Sequence, residues 1–224
     1  MTQFQIRQCT RGECRFRFPV TLDPTNPAVP EIQCPKCGAT TRLVDVPYAN
    51  YKERTPSPGP GGPEVEALLD NIRSTYNVGS IFRTADGAGL RHLHLCGVTP
   101  TPGNPKIVKT ALGAEEAVPW SYHRNGLDAV LRLKEQGMRV WALEGSPRAQ
   151  SLFQAANEQA GLPILLVVGN ELSGVDPGIL EACEKVVAIP MQGHKRSLNV
   201  AIAFGIATYF LRFGLPDSDY HDLI

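Results

Sequence analysis

The chain has 224 residues, 22 Lys+Arg against 22 Asp+Glu, and 42% hydrophobic residues. A net charge of zero rules out any argument for a nucleic-acid partner from bulk basicity, so such a partner would need local basic patches. No run reaches the roughly 18 to 20 apolar residues of a membrane span, and Met1-Thr2-Gln3-Phe4-Gln5-Ile6-Arg7 lacks the apolar core of a signal peptide, so a cytoplasmic protein without membrane segments is expected.

The length fits one full domain plus a small one. Residues 1–60 hold 8 Lys+Arg against 5 Asp+Glu, and residues 61–224 hold 14 against 17. Within the first part, Cys9-Thr10-Arg11-Gly12-Glu13-Cys14 and Cys34-Pro35-Lys36-Cys37-Gly38 form two cysteine pairs. In a cytosolic chain such pairs read as a structural zinc site, with four thiolates completing a tetrahedron; disulfides or unrelated thiols are the alternatives. Arg11, Arg15, Arg17, Lys36 and Arg42, with Phe16 and Phe18 interleaved, suggest a nucleic-acid-contacting ribbon, or else a solvated surface over a small aromatic core. The segment Thr55–Pro63 is nearly all Pro and Gly and reads as a linker. The expected division is a zinc-ribbon-like domain over 1–54, a linker over 55–63 and an α/β domain over 64–224.

Beyond the linker, strands are expected at Val65–Ile72, Leu93–Val98, Arg139–Leu143, Ile164–Val168 and Val186–Ile189. Helices are expected at Val78–Ala88, Ile107–Ala114, Leu127–Gln136, Gly178–Cys183 and Leu198–Phe213. Continuous apolar strands alternating with helices indicate a parallel sheet covered on both faces. The last helix is apolar round most of its circumference, so either its own domain wraps it or a second subunit covers it. Gly214 and Pro216 mark its end. Cys96 and Cys183 stand alone in apolar surroundings and read as core residues.

Three segments carry chemistry. In Asn77–Gly89, Asn77 reads as a helix cap, and Arg83 lies off the apolar face between Gly79 and Gly87, which would let a bulky partner approach; an Arg83–Asp86 surface pair is the plain alternative. In Ile164–Gly174, a buried strand empties into the turn Gly169-Asn170-Glu171-Leu172-Ser173-Gly174, whose glycines let backbone amides face a ligand. The pattern is neither a dinucleotide fingerprint nor a P-loop. In Ile189–Ala201, a strand ends at Pro190, the basic turn His194-Lys195-Arg196 follows, and Ser197 is placed to cap the final helix.

In their order and spacing these segments resemble the SpoU/TrmH family of RNA ribose 2′-O-methyltransferases, within the SPOUT class. Asn77, Gly79 and Arg83 match the first motif. Gly169, Glu171 and Gly174 match the second, and Ile189, Pro190, Met191, Gly193, Ser197, Leu198 and Asn199 the third. Glu184 and Ala201 depart from the pattern, standing where an aspartate and a second serine are common. The resemblance implies a trefoil-knotted α/β domain, S-adenosylmethionine as cofactor, a homodimer that completes each site, and tRNA or rRNA as substrate. It implies a catalytic set of Arg83, Asn77, Ser197, Asn199 and Glu171. The cofactor would be held by Leu143, Gly169, Asn170, Glu171, Gly174, Ile189, Met191, Ser197 and Leu198, and zinc by Cys9, Cys14, Cys34 and Cys37. A non-catalytic RNA-binding or assembly factor on the same fold, and a base methyltransferase, are the alternatives.

Overall fold

A computed structural model describes residues 3–22, 31–49, 63–155 and 163–214. The Pro/Gly segment, apart from Pro63, lies outside the described residues, as does Pro216. The chain divides into two compact units, Met1–Ser57 and Pro58–Ile224.

In the first unit, β1 (Gln3–Cys9), β2 (Arg17–Leu22) and β3 (Thr41–Ala49) form an antiparallel sheet ordered β2-β1-β3. Cys9 closes β1 and Cys14 sits in the turn leading to β2, while Cys34 and Cys37 occupy a tight turn ahead of β3. Gly38 takes a φ of +70°, a region that favours glycine, and its N–H bonds Cys34 O at 2.9 Å.

The second unit is a parallel seven-stranded sheet flanked by helices. Its strands are β4 (Val65–Asp70), β5 (Leu93–Cys96), β6 (Trp120–His123), β7 (Arg139–Leu143), β8 (Gln150–Ser151), β9 (Ile164–Val168) and β10 (Lys185–Ala188), in the order β6-β5-β4-β9-β7-β10-β8. The helices are α1 (Thr75–Ala88), α2 (Pro105–Ala111), α3 (Ala114–Ala117), α4 (Gly126–Glu135), α5 (Leu152–Ala155), α6 (Pro177–Ala182) and α7 (Val200–Phe213). β9, Ile-Leu-Leu-Val-Val, is buried at every position and lies between β4 and β7, as a central strand covered on both faces must. One face packs Leu69, Leu95, Ile81 and Phe82 against Phe204 and Leu211 of α7. The other packs Leu68, Val140 and Val167 against Val130 of α4 and Ile179 of α6.

The expected alternation is present, with shifts that have local causes. β6 escapes the sequence reading because its residues alternate between exposed and half-buried, as at an open edge; β8 has only two residues. α1 begins earlier than expected because Ser74, not Asn77, is its cap: Ser74 Oγ accepts from Asn77 N at 3.3 Å. α7 begins at Val200 because Asn199, not Ser197, is the cap, its Oδ1 accepting from Ala201 N at 3.0 Å. The expected α2 breaks in two at Leu112, whose φ is +56°. Cys96 is fully buried, and Cys183 packs partly buried under α4 and α6.

Candidate active site

Three neighbouring strands end together on one side of the sheet: β9 at Val168, β7 at Leu143 and β10 at Ala188. The carboxyl ends of parallel strands leave a crevice that the following loops line. Here the loops enclose a cleft of about 340 Å³, within the usual size range of small-ligand sites. Leu143, Gly169, Asn170, Glu171, Gly174, Ile189, Met191, Ser197 and Leu198, all nine residues expected at a cofactor, line it. Glu144, Gly145, Arg196 and Asn199 line it too. Glu144, Gly145 and Arg196 carry no distinctive spacing, and only their place at strand ends and in the basic turn marks them.

The turn after β9 is built for close approach. A Cβ on Gly169 would fall 2.2 Å from Val175 N and 2.3 Å from Gly174 C, because Asn170 and Gly174 pair back on each other across the turn. Gly174 has φ +75°, and a Cβ there would lie 2.6 Å from Glu144 Oε2, the oxygen that accepts Val175 N–H at 3.0 Å. Asn170 Oδ1 accepts from Leu172 N at 2.9 Å, and its Nδ2 donates to Asn71 O at 2.7 Å, tying the turn to the end of β4.

Glu171 binds this turn to the start of α1. Its carboxylate accepts from Arg73 N at 3.0 Å, Ser74 N at 3.1 Å and Asn77 Nδ2 at 2.9 Å. Burial alone would raise its pKa, but these bonds to the charged form outweigh burial and hold the carboxyl below the usual range. Asn77 then accepts from Asn199 Nδ2 at 3.1 Å. One chain of hydrogen bonds, Glu171–Asn77–Asn199, thus joins the three segments singled out in the sequence. Asn77, expected to cap α1, is a link in that chain, and Asn199 both caps α7 and joins it.

Arg83 is placed elsewhere. It lies exposed on α1, about 1.7 turns beyond Asn77, or about 9 Å along the helix axis. It lines a separate concavity with Asp86, Leu112 and Gly113, and it forms no ion pair with Asp86. The two flanking glycines also differ from expectation. A Cβ on Gly79 would meet Thr110 Cβ at 2.6 Å, and one on Gly87 would meet Tyr209 Oη at 2.9 Å, so both admit neighbouring helices of the same chain.

The four cysteines of the first unit converge, with all Sγ atoms within 4.8 Å of one another. Cys9 and Cys37 are 3.6 Å apart, and Cys14 and Cys34 3.9 Å. Those separations bracket the roughly 3.8 Å sulfur–sulfur edge that Zn–S bonds of about 2.3 Å give in a tetrahedron. They exclude the disulfide reading, since an S–S bond is about 2.05 Å. Burial first, and then the neighbouring thiols, push Cys9 up to about 12, whereas the Ala39 amide leads in lowering Cys37 to about 7.

The parallel seven-stranded sheet with its flanking helices matches the SPOUT methyltransferase fold. Residues 64–209 match the SpoU rRNA Methylase family model, and the chain belongs to that family. It is 35% identical over 147 residues to the 23S rRNA (guanosine(2553)-2′-O)-methyltransferase RlmP of Bacillus subtilis, covering 65% of this chain and 56% of that one. It is 29% identical to the tRNA (guanosine(18)-2′-O)-methyltransferase of Escherichia coli, covering 66% of this chain and 62% of the relative. The AdoMet-bound rRNA methyltransferase of Sinorhizobium meliloti superposes with a TM-score of 0.62 at 29% identity, covering 68% of this chain and 57% of that one. The chain spans less than two thirds of the length of these curated relatives. Among the described residues, no helix is long and apolar enough to cross a membrane.

Proposed function

We propose that this protein transfers a methyl group from S-adenosylmethionine to a ribose 2′-hydroxyl of tRNA or rRNA. The observation that carries the reading is the Glu171–Asn77–Asn199 chain, which fixes three loops around one cleft at the strand ends. The two relatives named above act on 23S rRNA and tRNA, and a solved relative is AdoMet-bound.

The lining residues fit the cofactor: apolar Leu143, Ile189 and Leu198 offer walls for an adenine, and the turn that Gly169 and Gly174 allow to close tightly on itself puts backbone in the lining. When bound, S-adenosylmethionine supplies a sulfonium-activated methyl that the ribose oxygen takes as the S–C bond breaks, while the hydroxyl proton leaves to water or phosphate. Ser197 and Asn199 position the hydroxyl, and Glu171 acts as a structural brace. Arg83 offers a planar fork of hydrogen-bond donors, so its part is to orient the hydroxyl and stabilise developing negative charge.

Arg83 is not among the residues lining its own chain's cleft, so a homodimer brings it to the partner's cleft. α7 offers a surface for that contact: Ile202, Ile206 and Tyr209, spaced four and three residues apart, are 56%, 37% and 47% exposed. The zinc held by Cys9, Cys14, Cys34 and Cys37 folds a small domain that grips RNA, and the segment 55–63 links it to a trefoil-knotted 64–224 domain in the cytoplasm. Titrating the protein with S-adenosylmethionine in a calorimeter tests the reading. Saturable one-to-one binding is expected, and no heat of binding would favour the non-catalytic RNA factor.

A further inference from the structure

In an antiparallel sheet, residues directly opposite each other share a face, and residues two apart on one strand share it as well. Phe18 on β2 lies opposite Arg7 on β1, and Arg7 opposite Leu43 on β3, so the three form one row across the small sheet. Phe16, two residues before Phe18, extends that face; the two rings stack with centroids 5.7 Å apart and planes 27° apart. Phe16 is 39% exposed and Leu43 52%. Of the two rings Phe16 lies open and Phe18 is half-buried.

Positive charge surrounds them. Arg11 and Arg15 are exposed on the cysteine turn that leads directly into Phe16. Arg7, within the row, bonds Thr41 O only at 3.4 Å, and its Nε–H is buried without a partner. The opposite face carries its own row, Arg17–Gln8–Arg42. A pair of stacked rings edged by guanidinium groups is complementary to nucleobases on a phosphate backbone. Every base has a face to stack, and each arginine can meet a phosphate.

We propose that the Phe16–Phe18 face of the small sheet is a stacking platform for unpaired RNA bases, delivering a single-stranded segment of the substrate to the enzyme. The proposal rests on the reading of the protein as an RNA methyltransferase. It specifies that the small unit reads unpaired bases and not duplex shape.

The test uses the full chain with zinc bound, a labelled short oligouridylate and a blunt RNA duplex, followed by fluorescence anisotropy. Phe16→Ala is expected to weaken oligouridylate binding by roughly 5- to 100-fold and duplex binding little, because stacked bases lose their platform. Phe16→Trp is expected to restore binding, with indole fluorescence quenched as oligouridylate is added. Equal oligouridylate affinity of Phe16→Ala and the parent, or no quenching in Phe16→Trp, overturns the platform. So does a change in that fluorescence with protein concentration alone, which would mark a protein contact. S-adenosylmethionine calorimetry on the same preparations separates the two readings: intact cofactor binding with an unaffected Phe16→Ala sinks the platform and leaves the methyltransferase standing, and the reverse pattern does the opposite.

Discussion

Asn77 Nδ2 lies 2.9 Å from Glu171 Oε1, although 94 residues separate them in the chain. This contact fastens the turn after β9 to the first turn of α1. Removing Glu171 leaves the Arg73 and Ser74 amides and the Asn77 side chain to water. Because the group is solvent-exposed, Glu171→Gln is expected to cost only about 1 kcal/mol in stability. Its effect on S-adenosylmethionine affinity is expected to be larger, about 10-fold or more, since the turn lines the cleft. Thermal unfolding and calorimetry on the same variant check both.

Gly169→Ala tests the same cleft by steric means. Its Cβ would fall 2.2 Å from Val175 N, backbone that can move only by opening the turn. Overpacking of this kind costs about 1–3 kcal/mol, and cofactor binding is expected to vanish while far-UV circular dichroism stays native. Gly193→Ala, whose Cβ meets nothing within 4 Å, is the control expected to fold normally.

The sequence makes the strand ends and the three segments legible because continuous apolar runs and glycine turns have few other uses. β7 and β9 fall on their expected bounds for that reason. Which polar residue caps a helix was not legible, since Ser74, Asn77, Ser197 and Asn199 all have the right chemistry and only tertiary partners choose among them. The purpose of Gly79 was hidden similarly: a glycine beside an arginine looks like access for a ligand, yet α2 fills the space. The Arg83 position follows from helical spacing, but its distance from the cleft is a matter of topology that no local pattern carries.

A half-buried polar network around β4, β5 and β6 sets a pH dependence. His94 Nε2 lies 2.9 Å from Glu66 Oε2 and its Nδ1 3.1 Å from His123 Nε2. Ser121 Oγ is 2.9 Å from both His92 Nε2 and His123 Nε2, and Arg132 of α4 faces His123 Nδ1 at 3.3 Å. Burial first, then repulsion from His94 and, for His123, from Arg132, holds His92 and His123 below the ordinary histidine value. The unfolded chain therefore binds protons more readily, and stability present above about pH 6.5 is lost as pH falls below it. Glu66, lowered chiefly by its bond to His94, adds a second loss as pH falls below about 4.5. Melting temperature measured against pH is expected to show both descents, and His123→Gln to flatten the upper one.

The cysteine cluster predicts about one zinc per chain by elemental analysis of the full-length protein, and Cys34→Ser to abolish it. Zinc thiolate sites supply folding energy outright, so chelation is expected to unfold the first unit and leave cofactor binding by the second intact.

Placement of Arg83 outside its own cleft predicts complementation between subunits. Arg83→Ala and Gly169→Ala chains, each inactive alone, are expected to regain part of the activity when mixed and refolded. In such a mixed dimer one site combines an intact cleft with an intact arginine. Arg83→Lys is expected to stay well below wild type, because a planar guanidinium orients the hydroxyl and a point charge does not. Near-normal turnover in Arg83→Lys would reduce the role to charge alone.

The measurement closest to the central claim is nucleoside mass spectrometry of tRNA and rRNA from cells with and without this gene. Loss of one 2′-O-methylnucleoside on deletion, restored by the parent gene and not by Arg83→Ala, is the predicted result. Identical nucleoside profiles in both strains, or loss of a base-methylated nucleoside instead, would contradict ribose methylation.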